Sequence, residues 1–219
     1  MNEIVQYRIL NGWPLFFLIA ALSAVVVGIS YAGVGVATPE ATVHMIRRSV
    51  QVSAPWIFIT FAVSSLVLLW PGTFTRWMLR NRRYLGLSFA GGMAWQLVFI
   101  YVLFAEHAWY YWEVLHKPED LFLRVASYGV LIAMVVTSFY PVRRRMQRWQ
   151  WDWLQLLGVW YMWLAIWVSY AGIVFSPDSP GLTGIAIVYT IAGFIALLVR
   201  LAAWWQKRRA QSLKVSKLV

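Results

Sequence analysis

The chain contains no cysteine, which excludes disulfides, thiolate metal sites, iron–sulfur clusters and thiol redox chemistry. Acids are scarce as well: 8 Asp and Glu stand against 19 Lys and Arg, and there are only 3 histidines. No Walker loop, dinucleotide glycine fingerprint, HExxH or GxSxG occurs, so the usual sequence marks of nucleotide binding, zinc proteolysis and serine hydrolysis are missing. Internal repeats and low-complexity segments are missing too, apart from a basic C-terminal tail.

What is present in abundance is apolar surface. Hydrophobic residues make up 61% of the chain and charged residues 12%, with a mean hydropathy of +0.64. A soluble core of 219 residues cannot hide that much apolar area and still be covered by charge, so the composition predicts an all-α, polytopic membrane protein. The net charge of +11 does not point to nucleic acid, because the basic residues sit in short clusters between apolar runs rather than along one soluble face.

Six such runs are free of charge through their centres and end in Pro, Gly or basic residues: about Trp13 to Ala37, Ser53 to Phe74, Tyr84 to Ala105, Leu121 to Val142, Trp153 to Phe175 and Gly181 to Trp205. Each reaches the roughly 20 residues that a helix needs to cross a hydrocarbon core of about 30 Å. The predicted architecture is a single six-helix bundle followed by a basic tail, 206–219. The first run lacks a strongly basic leader and is longer than a signal-peptide core, so it reads as a retained helix, with a cleaved signal as the alternative. The longest connections, Thr38 to Val52 and Glu106 to Asp120, leave no room for a soluble domain.

Sorting the charges by side orients the bundle. One side collects fifteen Lys and Arg with only Glu3 and Asp152; the other has Arg47, Arg48, Lys117 and Arg124 with six acids. The positive-inside rule then places both termini in the cytoplasm. The basic loop Arg143 to Arg148 and the tail from Lys207 to Lys217 suit anionic lipid or a cytoplasmic partner, although topology by itself also accounts for them. No Asp, Glu, Lys or Arg is expected near the centre of a span, which argues against a proton-coupled transporter or a charge-driven channel.

The most distinctive stretch is Arg148 to Phe175, RWQWDWLQLLGVWYMWLAIWVSYAGIVF. Trp160, Trp163 and Trp167 recur at i, i+3 and i+7 and so share one helix face, with Trp153 and Leu156 extending the stripe. Gln155 is a lone amide just inside the apolar run. Small residues at Gly91-Gly92, and at Ala165, Ser169 and Gly172, offer surfaces where helices could approach closely.

Taken with Arg82-Arg83-Tyr84-Leu85-Gly86-Leu87 leading to Trp95-Gln96-Leu97, and with the W-x-x-L approach to Gln155, this stretch resembles the ferric-reductase-like transmembrane family, whose members include the membrane haem subunit of the bacterial periplasmic methionine sulfoxide reductase system. The likeness runs from about Val43 to Trp205. It implies a bacterial inner-membrane location and a bundle in which histidines on the third and fifth spans ligate haem. A separation of 13 residues at about 1.5 Å each would set two ligating levels about 20 Å apart. Here the matching positions are Gln96, Gln155 and Val168, and none is an imidazole. The resemblance therefore implies the fold, while these residues withdraw haem b; a quinone or pigment held without histidine stays open.

Two uses of the tryptophan stripe also stay open. The indoles, together with Trp95, could pack the volume that haem takes in the family, or they could face lipid or a neighbouring chain. Gln96 and Gln155 are placed to hydrogen-bond each other across helices. Of the histidines, His107 and His116 share a loop with Glu106, Glu113, Glu119 and Asp120, a donor set for a divalent ion if the loop folds them together and otherwise ordinary interfacial residues. His44 stands apart from them. The functional expectation is a haem-less accessory subunit of a membrane complex that acts by binding other membrane subunits. The alternative is an electron-transfer subunit using a quinone or an unconventionally held haem.

Overall fold

A computed structural model describes residues 7–115, 118–175 and 183–215. Among them every regular element is helical, and six helices are long and apolar enough to cross a membrane. Helix α1 (Trp13–Val34) begins after Gly12 and ends at Gly35, both at φ +69°, a conformation that favours glycine. It buries only the stripe Leu15, Ile19, Ser23 and Val27, at four-residue spacing.

Helix α2 (Pro39–Leu69) is the centre of the bundle and touches α1, α4, α8 and α9. It starts fourteen residues before the predicted span, so the expected connection up to Val52 is helix instead. The local chemistry explains why: the Thr38 side chain accepts from Ala41 N–H at 3.2 Å, Pro39 takes the first turn and Glu40 sits at the positive end of the dipole. Arg47 and Arg48 interrupt the apolar run without interrupting the helix, because Arg48 reaches Ser30 Oγ of α1 at 3.3 Å and Gln51 Oε1 at 3.0 Å.

Pro55 lies inside α2 and has no N–H to give to the Gln51 carbonyl. The Tyr189 hydroxyl donates to that carbonyl instead, at 2.7 Å. At its other end α2 stops at Leu69, short of the predicted Phe74, because Pro71 and Gly72 break it. A separate short helix, α3 (Thr73–Arg80), follows, and it buries only Met78.

Helix α4 (Arg82–Glu106) matches its predicted span and lies close along α2. Gly92 makes this approach attainable: a Cβ there would come within 2.5 Å of Ser53 Cβ. The turn into α4 is fixed by Asn81, 1% exposed, whose Oδ1 accepts from Gly12 N–H at 2.9 Å and whose Nδ2 donates to Asn11 Oδ1 at 3.1 Å. Trp77 Nε1 adds a bond to the Leu10 carbonyl at 2.8 Å, so the segment ahead of α1 is tied to the α3–α4 corner.

A single turn, α5 (Ala108–Tyr110), and a π-turn over Tyr111–Leu115 follow α4. Helix α6 (Pro118–Ser138) ends earlier than predicted, and Pro141 starts the short α7 (Tyr140–Arg143). Helix α8 (Arg148–Phe175) begins five residues before its predicted span and ends with it. Helix α9 (Thr183–Val215) continues ten residues past Trp205, so the described part of the expected tail is helix. Here Arg208 lies 4.1 Å over the Trp204 ring and Arg209 3.5 Å over Trp205, both at the i, i+4 spacing that favours such pairs. The main core draws on α2, α4, α6, α8 and α9.

Candidate functional site

The face of α8 that carries Trp160, Trp163 and Trp167 turns inward, toward α2 and α9. Trp163 is 3% exposed, and Trp160 and Trp167 are half-buried. The rings form a column. Trp163 stacks on Phe61 of α2, with centroids 4.7 Å apart and planes at 10°, and on Trp167 at 5.3 Å and 12°. Trp160 meets both Phe61 and Trp163 edge-on, at 4.8 and 5.7 Å. Edge-on and stacked pairs at these separations are favourable for aromatic quadrupoles.

Helix α9 supplies the acceptors that buried indoles need. Trp163 Nε1 donates to the Gly193 carbonyl at 3.2 Å, and Trp167 Nε1 to the Thr190 carbonyl at 2.9 Å. Gly193 also makes room, since a Cβ there would lie 2.3 Å from Trp167 Cδ1. One end of the column is closed by Arg200, whose guanidinium carbon lies 4.5 Å from the Phe61 centroid and 4.7 Å from that of Trp160. Arg200 Nη1 also donates to the Phe61 carbonyl at 3.2 Å, while Arg82 Nε donates to the neighbouring Thr60 carbonyl at 3.2 Å.

Toward the other end, Tyr170 and Tyr189 lie 4.9 Å apart, and Tyr189 is 6.3 Å from Phe58. The Tyr189 bond to Gln51, and Arg48 beyond it, complete this end. From Trp160 to Tyr170 the column spans ten residues of α8, or about 15 Å at helical rise. Arg200 is one of the fifteen basic residues that charge sorting places on one side of the bundle. The structure turns it into the bundle, and the signal available was its place five residues inside an otherwise apolar run.

The remaining predicted positions lie elsewhere. Trp153 and Leu156 are exposed, at 55% and 39%, and take no part in the column, and Trp95 is 37% exposed. Gln96 and Gln155 do not bond each other, because each faces α6: Tyr128 Oη donates to Gln96 Oε1 at 2.7 Å, while Gln155 Nε2 donates to the Met134 carbonyl at 3.2 Å and to Thr137 Oγ1 at 3.3 Å. Val168 is 53% exposed on the outer side of α8. As a ligand set for haem these three positions do not fit: two amides already engaged with α6 and one outward-facing valine offer iron no nitrogen from facing helices.

His107 Nε2 donates to the Val36 carbonyl at 3.1 Å, His44 is exposed on α2, and His116 lies outside the described residues. Among the described residues no three His, Cys, Asp or Glu side chains gather where they could hold a metal ion. The small residues also divide. Gly92 carries a close approach, whereas Ser169 is exposed and a Cβ on Gly172 would meet open space. Gly158 and Gly193, which the sequence did not mark, admit Met134 and Trp167. No family model, curated protein or solved structure matches the chain.

Proposed function

We propose that this chain is a non-catalytic, multi-pass subunit of a bacterial inner-membrane complex, keeping a ferric-reductase-like framework without the family's haem and acting by holding partner membrane proteins. The observation that carries this reading is the column of Phe61, Trp160, Trp163 and Trp167. Its rings stack on one another and two of its indole N–H groups are bonded to α9, so the middle of α2, α8 and α9 is occupied by side chains. Three facing helices packed this way form a stiff framework rather than a cofactor pocket. Both termini lie in the cytoplasm in this reading, as the excess of arginine on that side favours.

The test is a spectrum and a native gel on protein taken in mild detergent from the membranes of its own host. The expected outcome is no Soret band before or after dithionite, together with a stoichiometric companion polypeptide. A stoichiometric haem that survives replacement of His44, His107 and His116 by Ala would overturn the reading, as would migration as an isolated monomer. A stoichiometric quinone in the organic extract would move the assignment to electron transfer.

A further inference from the structure

A groove of about 310 Å³ runs between α1, α4 and α6. Trp13 and Phe139 line one end of it, and Leu97 and Tyr128 the other. From Leu87 to Leu97 it follows ten residues of α4, about 15 Å at helical rise, which is half of a hydrocarbon core of about 30 Å. The groove is therefore about as long as one leaflet is thick. Its only hydroxyl belongs to Tyr128, which is engaged with Gln96, and the rest of the lining is apolar apart from the Trp13 indole N–H.

The Trp13 and Phe139 end carries a cation. Arg83 is exposed, and its guanidinium lies 5.9 Å from the Trp13 ring, 5.8 Å from Tyr84 and 5.7 Å from Phe139. Trp13 and Phe139 also stack on each other at 6.1 Å. The only ion pair among the described residues joins Arg148 to Asp152, so no carboxylate among them meets Arg83. A guanidinium held by rings at the membrane surface, above an apolar slot that ends near mid-bilayer, is complementary to one molecule: an anionic headgroup with an acyl chain below it. A quinone fits less well, because its carbonyls would need donors along the slot.

We propose that this groove is a binding site for a single anionic glycerophospholipid, its phosphate on Arg83 and one acyl chain between α4 and α6. The proposal is independent of the accessory-subunit reading. It is tested by native mass spectrometry of the full chain in mild detergent, titrated with palmitoyl-oleoyl phosphatidylglycerol or the matching phosphatidylcholine. The wild type should retain one phosphatidylglycerol per chain under activation that strips phosphatidylcholine. Arg83→Gln should reduce that occupancy about fivefold, Ala94→Trp, which fills the slot, should abolish it, and Arg208→Gln should leave it unchanged.

Equal retention of the two lipids would overturn the proposal, as would wild-type occupancy in Arg83→Gln. Loss in Arg83→Gln with full retention in Ala94→Trp would overturn the groove as the site. So would an adduct with the mass of a quinone, or a lipid-free dimer in which a second copy covers the face. Circular dichroism of each variant shows that a lost adduct is not a lost fold.

Discussion

At the scale of single residues, the glycines divide by what stands over them, and this division was not legible in the sequence. Gly158, Gly172 and Gly193 all sit in apolar helices, yet only the bundle shows Met134 over the first, Trp167 over the third and nothing over the second. Gly193→Ala should push Trp167 out of its stack and cost about 1 to 3 kcal/mol by overpacking, whereas Gly172→Ala, with open space around it, should be neutral or slightly stabilising. Thermal midpoints of the two variants in the same detergent check this, and equal midpoints would refute the tight contact. Trp163 was legible in part. Its spacing with Trp160 and Trp167 put the three on one face, but periodicity does not say whether that face looks inward or toward lipid when the whole helix is apolar. Trp163→Ala should be the most damaging substitution in the column, at about 3 to 5 kcal/mol, read as loss of monodisperse protein on size exclusion.

At the scale of elements, α2 was the hardest to read and is the most instructive. Its start carried the right signals in Thr38, Pro39 and Glu40, but Arg47 and Arg48 broke the hydropathy, and an apolar window marks the membrane part of a helix rather than the helix itself. Likewise the apolar run of α9 ends at Trp205, although cation–π pairs carry the helix on through Arg209. The proline in α2 gives a sharper test. Tyr189→Phe should leave the Gln51 carbonyl unpaired inside the bundle, at about 0.6 to 2 kcal/mol for a bond of this type in a membrane protein. In Pro55→Ala the new N–H can take that carbonyl, so adding Tyr189→Phe to Pro55→Ala should cost less than Tyr189→Phe alone. This coupling comes from a double-mutant cycle on thermal stability; if the two effects simply add, Tyr189 is not replacing the bond that Pro55 removes.

At the scale of the molecule, the number of apolar helices was legible because hydrocarbon thickness sets their length, and five of the six predicted runs begin or end within three residues of a helix terminus. How the helices neighbour one another was not: α6 lies against both Gln96 and Gln155 and takes the hydrogen bonds those amides were expected to share. Orientation rests on charge alone. Arg76, Arg80, Arg82 and Arg83 precede or open α4, Arg143 to Arg148 connect α6 to α8, and Arg208 and Arg209 extend α9, so alternating helices bring all three clusters to one face. Translocating that many cations is what the positive-inside rule penalises. Because the chain has no cysteine, single-cysteine variants report sidedness without background. With the clusters inside, Gln211→Cys should resist a membrane-impermeant maleimide in intact cells and react after permeabilisation. His44→Cys, exposed near the start of α2 at the opposite face, should react without it. The reverse pattern would invert the bundle and place the Arg83 groove in the outer leaflet, where phosphatidylglycerol would have to be met from the other side.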